Sequence, residues 1–81
     1  MSVRTAVISQ FELTAKEKEL KLPPLSDDLV LLESGLDSLS FAIIVARLED
    51  QLGLDPFSAD QDLDIPITLV DFIRIYENAA K

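Results

Sequence analysis

Leu36-Asp37-Ser38-Leu39 joins a polar stretch to the apolar run Phe41-Ala42-Ile43-Ile44-Val45-Ala46-Arg47-Leu48. The join predicts a helix that begins at Asp37 or Ser38, because Asp and Ser are favoured helix caps. Gly53 predicts its end, as the residue that most easily turns left-handed after a last helical turn. Between these points Phe41, Ile44, Val45, Leu48 and Leu52 recur at the spacing of one buried helical face. A second stripe, Leu39, Ala42, Ile43 and Ala46, runs on to Asp50. One apolar face is enough to join a small bundle. Two predict either a central buried helix or an apolar surface kept for a partner, and periodicity leaves both open.

Working outward, a first helix is predicted from about Ser2 to Leu20, burying Val3, Ala6, Val7 and Phe11. Its tail, Ala15 to Glu19, alternates in charge and reads as solvated, with Lys16, Lys18 and Lys21 suiting the negative end of the helix dipole. Pro23-Pro24 stops the helix. The connection from Leu25 to Asp37 is long for so small a chain, which points to function. Leu29, Leu31 and Leu32 are expected to tuck onto the core, and Gly35 gives the backbone freedom just before the serine. Pro56 to Asp64 predicts one or two turns of a short third helix, broken by Pro66. Thr68-Leu69-Val70-Asp71 is a capping box with Asp in place of Glu, opening a last helix to about Ala79 that buries Leu69, Phe72, Ile73 and Tyr76. Ile65, Ile67 and Leu69 are expected in the core rather than in a pocket. No alternating strand is visible. The expected fold is all-α, a small four-helix bundle of three main helices and a short third one, in a single domain spanning residues 1–81.

Composition excludes several functions. The chain has no cysteine and no histidine, hence no disulfide, no thiolate metal site and no imidazole base. Asp60-x-Asp62-x-Asp64 imitates the start of a calcium loop, but Ile65 and Asp71 stand where that loop needs Gly and a bidentate Glu. No metal site is expected. The net charge is −8, and from Ser26 to Asp64 ten acids face one base, Arg47. Such a centre repels nucleic acid and anionic membrane and favours basic protein surfaces. No apolar run reaches the roughly 18 residues of a membrane span, and no signal peptide is read, so a cytoplasmic location is expected.

Ser38 is the one residue whose setting suggests chemistry. A serine needs a neighbouring base to act as a nucleophile, and the only lysines, Lys16, Lys18, Lys21 and Lys81, lie in charged segments. The chain is therefore not expected to be an enzyme. As an acceptor, Ser38 needs only exposure, and unpaired N–H groups at the helix start would stabilise a phosphate-bearing group. Taken alone, Asp-Ser before a helix is equally well a cap.

The longer string Leu32-Glu33-Ser34-Gly35-Leu36-Asp37-Ser38-Leu39 resembles the attachment segment of acyl and peptidyl carrier proteins. Chain length, acidity, the helix before the motif, the short third helix and the Thr-capped last helix agree with that family. The resemblance implies a discrete, monomeric carrier of the acyl-carrier bundle type. Ser38 would hold 4′-phosphopantetheine, transferred from coenzyme A by a phosphopantetheinyl transferase. The arm's thiol would carry an acyl or aminoacyl group as a thioester, supplied by a loading ligase and passed to a downstream acyltransferase or synthase. Asp37 would help dock the transferase and its metal. Leu39, Ala42, Ile43, Ala46, Arg47 and Asp50 would face partners. That face is less acidic than in fatty-acid carriers, which implies a specialised pathway. The rival reading is an acidic helical adaptor that binds a basic or amphipathic partner through the second helix, with Ser38 only a cap.

Overall fold

A computed structural model describes residues 2–59 and 65–80. It contains four α-helices: α1 (Val3–Glu17), α2 (Ser38–Leu52), α3 (Pro56–Ala59) and α4 (Leu69–Ala79). A single 3-10 turn, Leu31–Glu33, lies in the long connection. Among the described residues there is no strand, only an isolated bridge between Val30 and Thr68.

α1 packs chiefly on α2 and also on α4, and α3 packs on α4. α1 runs antiparallel to α2, with Gln10 Nε2 donating to Gln51 Oε1 across 2.9 Å near one end of the pair. One turn earlier on α2, Arg47 meets Glu17 of α1 at 2.6 Å. Ala6, Val7 and Phe11 are buried as their spacing predicts. The Phe11 ring stands edge-on between Phe41 of α2, at 6.0 Å, and Phe72 of α4, at 5.5 Å. Phe72 passes the contact on to Tyr76 at 5.2 Å and to Phe57 of α3 at 5.9 Å. Edge-to-face pairs suit the positive rim and negative face of each ring. Tyr76 is buried with no hydroxyl partner among the described residues. Burial, with Asp55 and Glu49 nearby, pushes its pKa up to about 12.

The end of α1 differs from expectation. The helix stops at Glu17 rather than near Leu20, because Glu19 turns left-handed at φ 57°. Leu20 N–H then donates back to the Ala15 carbonyl at 2.8 Å, and Glu19 N–H to that of Lys16 at 3.1 Å. This closure normally uses Gly. Ala15, expected in solvent, is buried, as is Thr14. Only the charged residues after them are solvated.

The long connection is pinned to the start of α4. Leu31 N–H donates to Ile67 O at 2.9 Å, Leu69 N–H to Leu29 O at 2.9 Å, and Val70 N–H to Asp27 O at 3.0 Å. Arg4 pairs with Asp27 and ties the same segment to α1. The predicted capping box is present: Asp71 N–H donates to Thr68 Oγ1 at 3.3 Å and Thr68 N–H to Asp71 Oδ2 at 3.2 Å. The Thr68 N–H holds the Asp71 carboxyl below its ordinary pKa. All four residues expected on the buried face of α4 are buried.

Three apolar residues assigned to the core are outside it. Leu31 points inward, but Leu32 is 88% exposed, since successive side chains of a 3-10 turn diverge by a third of a turn. Ile65 and Ile67 are 87% and 66% exposed. They share one face of an extended segment, and that face points outward. Leu69 is buried because the helix has begun there. Of the predicted third helix, α3 is one turn, and its continuation lies outside the described residues, as do Asp60, Asp62 and Asp64.

Two substitutions check this packing. Phe11→Ala should destabilise the domain by about 3–5 kcal/mol and Phe11→Leu by less, as read from urea denaturation. Near-wild-type stability of the alanine variant would contradict the central place given to the ring. Glu19→Gly should stabilise by about 0.5 kcal/mol, since relief of the left-handed strain exceeds the added freedom of the unfolded chain. A destabilised glycine variant would show that Glu19 carries an interaction beyond its backbone angle.

Candidate functional site

The segment before α2 is anchored from both sides. Leu31 and Leu36 are buried, and Ser34 between them donates its hydroxyl to Leu31 O at 2.6 Å while accepting from Leu36 N–H at 3.3 Å. Gly35 adopts φ 91°, and a Cβ there would meet nothing within 4 Å. The backbone angle, not crowding, calls for glycine. The chain then extends through Asp37 (φ −90°, ψ 178°) and enters the helix at Ser38.

Asp37, not Ser38, is the cap: its Oδ1 accepts from Ser40 N–H at 2.8 Å. That bond, helped by the charge of Lys18, holds the Asp37 carboxyl below its ordinary pKa of 3.8. The sign follows from a lowered folded-state pKa. The cap's contribution is present above the unfolded value and fades as pH falls through the folded one. Ser38 is the first helical residue, exposed, with no side-chain hydrogen bond among the described residues. Not every N–H of the helix start is open to an anion, because Ser40 N–H is taken by Asp37. Those of Ser38 and Leu39 precede the first helical bond, Phe41 N–H to Asp37 O at 3.1 Å.

The second stripe of α2 is largely surface rather than core. Leu39, Ala42, Ala46 and Asp50 are exposed, whereas Ile43 and Arg47 are half-buried. Arg47 turns toward α1, to Glu17 and, at 3.4 Å, to Thr14 Oγ1. Its charge is matched within the chain, so the outward face of α2 presents small and apolar groups, with Glu49 and Asp50 exposed only near its end.

Beside Ser38 opens a cavity of about 450 Å³. Leu31, Leu36, Phe41, Val45, Phe57 and Phe72 form its walls, and Asp37 and Ser38 contribute to its mouth. Leu32, Ile65 and Ile67 also border it. Periodicity placed Phe41 and Val45 in the core stripe, and both are half-buried wall residues. Phe57 gave no signal in the sequence, since a one-turn helix has no period to read.

Residues 13–80 match the family described as the phosphopantetheine attachment site. Among curated proteins, non-reducing polyketide synthases of Cercospora nicotianae and of Cercospora beticola are each 33% identical to the chain over 64 residues. The match covers 79% of this chain and 3% of either synthase, so the chain spans a small fraction of their length. No solved structure matches. No helix among the described residues is long and apolar enough to cross a membrane. Members of the matched family carry 4′-phosphopantetheine covalently and are themselves non-catalytic. From within α1 to the last turn of α4 the family pattern is continuous, and the chain belongs to the phosphopantetheine-binding carriers.

Proposed function

We propose that residues 1–81 act as one carrier domain, with 4′-phosphopantetheine attached to the Ser38 hydroxyl. The observation that carries this reading is the division of labour at the start of α2. Asp37 takes the capping bond, which leaves Ser38 exposed with its hydroxyl uncommitted. The group fits the residues present: open space lies beside the serine, and the Ser38 and Leu39 N–H groups are available to a phosphodiester. When bound, the arm supplies the thiol that the chain lacks, and an acyl or aminoacyl group rides on it as a thioester. The transferase supplies the base that deprotonates Ser38, since this chain has no histidine. Asp37, on the rim, is the acid that this transferase and its metal would meet.

Carriers of this family work with synthase and transferase enzymes. For this chain the proposed partners are a phosphopantetheinyl transferase, a loading ligase and a downstream acyltransferase or synthase. They would read Leu39, Ala42, Ile43, Ala46 and Asp50. Arg47 supports that face from behind through Glu17 rather than offering a charge. The sparse acidity of the face supports a specialised pathway over housekeeping fatty-acid synthesis, and the matched synthases support assembly of a polyketide or a related chain. A monomer acting in the cytoplasm remains part of this proposal. The adaptor reading made Ser38 a cap, and the geometry gives that role to Asp37.

Incubation of the apo protein with coenzyme A and a broad-specificity transferase should add about 340 daltons, the mass of the arm. Ser38→Ala should abolish the gain while shifting the melting temperature by about 2 °C or less. Asp37→Ala should lower it by about 4 °C or more. No mass gain on the folded wild-type protein would refute the attachment. A Ser38→Ala loss equal to that of Asp37→Ala would return Ser38 to the role of cap.

A further inference from the structure

We infer that Ser34 is a positioning residue for the attachment reaction: its buried hydroxyl holds the register in which Ser38 is the first helical residue and keeps its own hydroxyl free. The inference rests on Ser38 as the attachment point and adds what presents it. Ser34 is 3% exposed, one of three buried polar side chains among the described residues. Its hydroxyl donates to Leu31 O at 2.6 Å and accepts from Leu36 N–H at 3.3 Å. The Ser34 N–H donates to the same Leu31 carbonyl at 3.1 Å. A serine used in this way turns the backbone with its side chain.

The two hydroxyl bonds reach to either side of Gly35. That glycine is left-handed at φ 91°, and a Cβ there would meet nothing within 4 Å, so no packing at Gly35 holds its angles. Glycine changes conformation more readily than any other residue. The buried Leu36 side chain fixes where the chain goes after Gly35, and the bond from its N–H to Ser34 fixes how that peptide is turned. The tie has a fixed base, because Leu31 N–H donates to Ile67 O at 2.9 Å. Hydrogen bonds thus run from the segment before α4 through Leu31 and Ser34 to Leu36, and the start of α2 is placed from α4. With the tie intact, Asp37 is extended and caps Ser40 N–H. Without it, Leu36 N–H is buried and unpaired, a cost comparable to or larger than the bond itself. Turning at Gly35 relieves that cost and lets Asp37 and Ser38 exchange the cap. Asp and Ser are nearly equal as caps, so the two registers lie close in free energy. A transferase that needs the Ser38 hydroxyl free then meets only part of the protein in competent form.

Transferase kinetics with varied apo protein and saturating coenzyme A provide the test. Ser34→Ala should raise KM about threefold to tenfold and leave kcat unchanged, since a partly populated competent form weakens apparent affinity by its fraction. Ser34→Thr, which keeps the hydroxyl, should restore a KM near that of the wild type. Ser34→Cys, of similar shape but a weaker donor, should fall between them and replaces Ser34→Ala if that variant does not fold. Ile73→Val, a buried change in α4, should lower the melting temperature without moving KM. The melting-temperature losses of Ser34→Ala and Asp37→Ala should sum to more than the loss of the double variant, because Ser38 takes over the cap once the register is free. An unchanged KM in folded Ser34→Ala, or an equal rise in Ile73→Val, would overturn the inference. So would a folded threonine variant that behaves like alanine, or losses that add in full. Wild-type protein that takes no arm would overturn the attachment at Ser38 and this inference with it, whereas the KM comparison can fail while attachment stands.

Discussion

The structure depends on the ring of Phe11. Its ring meets α2 through Phe41 and α4 through Phe72, so one side chain of α1 contacts both helices. A domain of this size buries only about 60–65% of the surface its unfolded chain exposes. One fully buried aromatic ring is therefore a large share of its core. The contacts also decide where the core ends. Phe41 and Phe72 each give one side to Phe11 and also line the cavity. The rings that hold the helices together are thus the rings that keep the space beside Ser38 open, and packing and site cannot be altered independently.

The second constraint is the end of a helix. The start of α2 needs an acceptor for an N–H that lacks an intrahelical partner, and the sequence offers two adjacent candidates. Asp37 is extended and reaches Ser40, while Ser38 already has helical geometry and cannot cap its own helix. A one-residue shift would have committed the Ser38 hydroxyl to the capping bond. The anchoring of Leu31 and Leu36 and the left-handed Gly35 fix that register. The loop's length is explained in the same way, since it must pair with residues 67–70 before it can present the motif.

Where periodicity carried information, the sequence was readable. The start, end and buried face of α4 follow from Thr68, Asp71 and the apolar spacing, because a capping box and an amphipathic stripe are local properties. The start of α2 was readable from Asp37-Ser38, because both residue types are favoured caps. The end of α1 was not, because Glu19 adopts a left-handed angle that glycine normally signals. Leu32, Ile65 and Ile67 were misplaced for a different reason. Their directions are set by the pairing of Leu31 with Ile67, a contact between segments 36 positions apart, and no local pattern encodes it. The two stripes of α2 were correctly separated, but periodicity cannot distinguish a core wall from a cavity wall. Nor did it show that Arg47 is matched by Glu17 on another helix.

An apolar border around an open cavity is a hazard for a small domain, since exposed apolar patches invite association. Here the charge distribution opposes it. Glu33, Asp37, Glu49 and Asp50 are all exposed on the loop and helix that carry Ser38, and the chain as a whole carries a charge of −8. Two copies approaching through this face repel one another over about a Debye length, roughly 8–10 Å at physiological salt. A partner with basic residues around an apolar centre is drawn in over the same distance and then gains apolar contact. Long-range charge and short-range apolar surface therefore select in sequence, the first against self-association and the second for fit. Neutralising Arg47 from within is consistent with that division. An unpaired cation at the middle of α2 would weaken the field that keeps copies apart and would present the wrong sign to a basic partner.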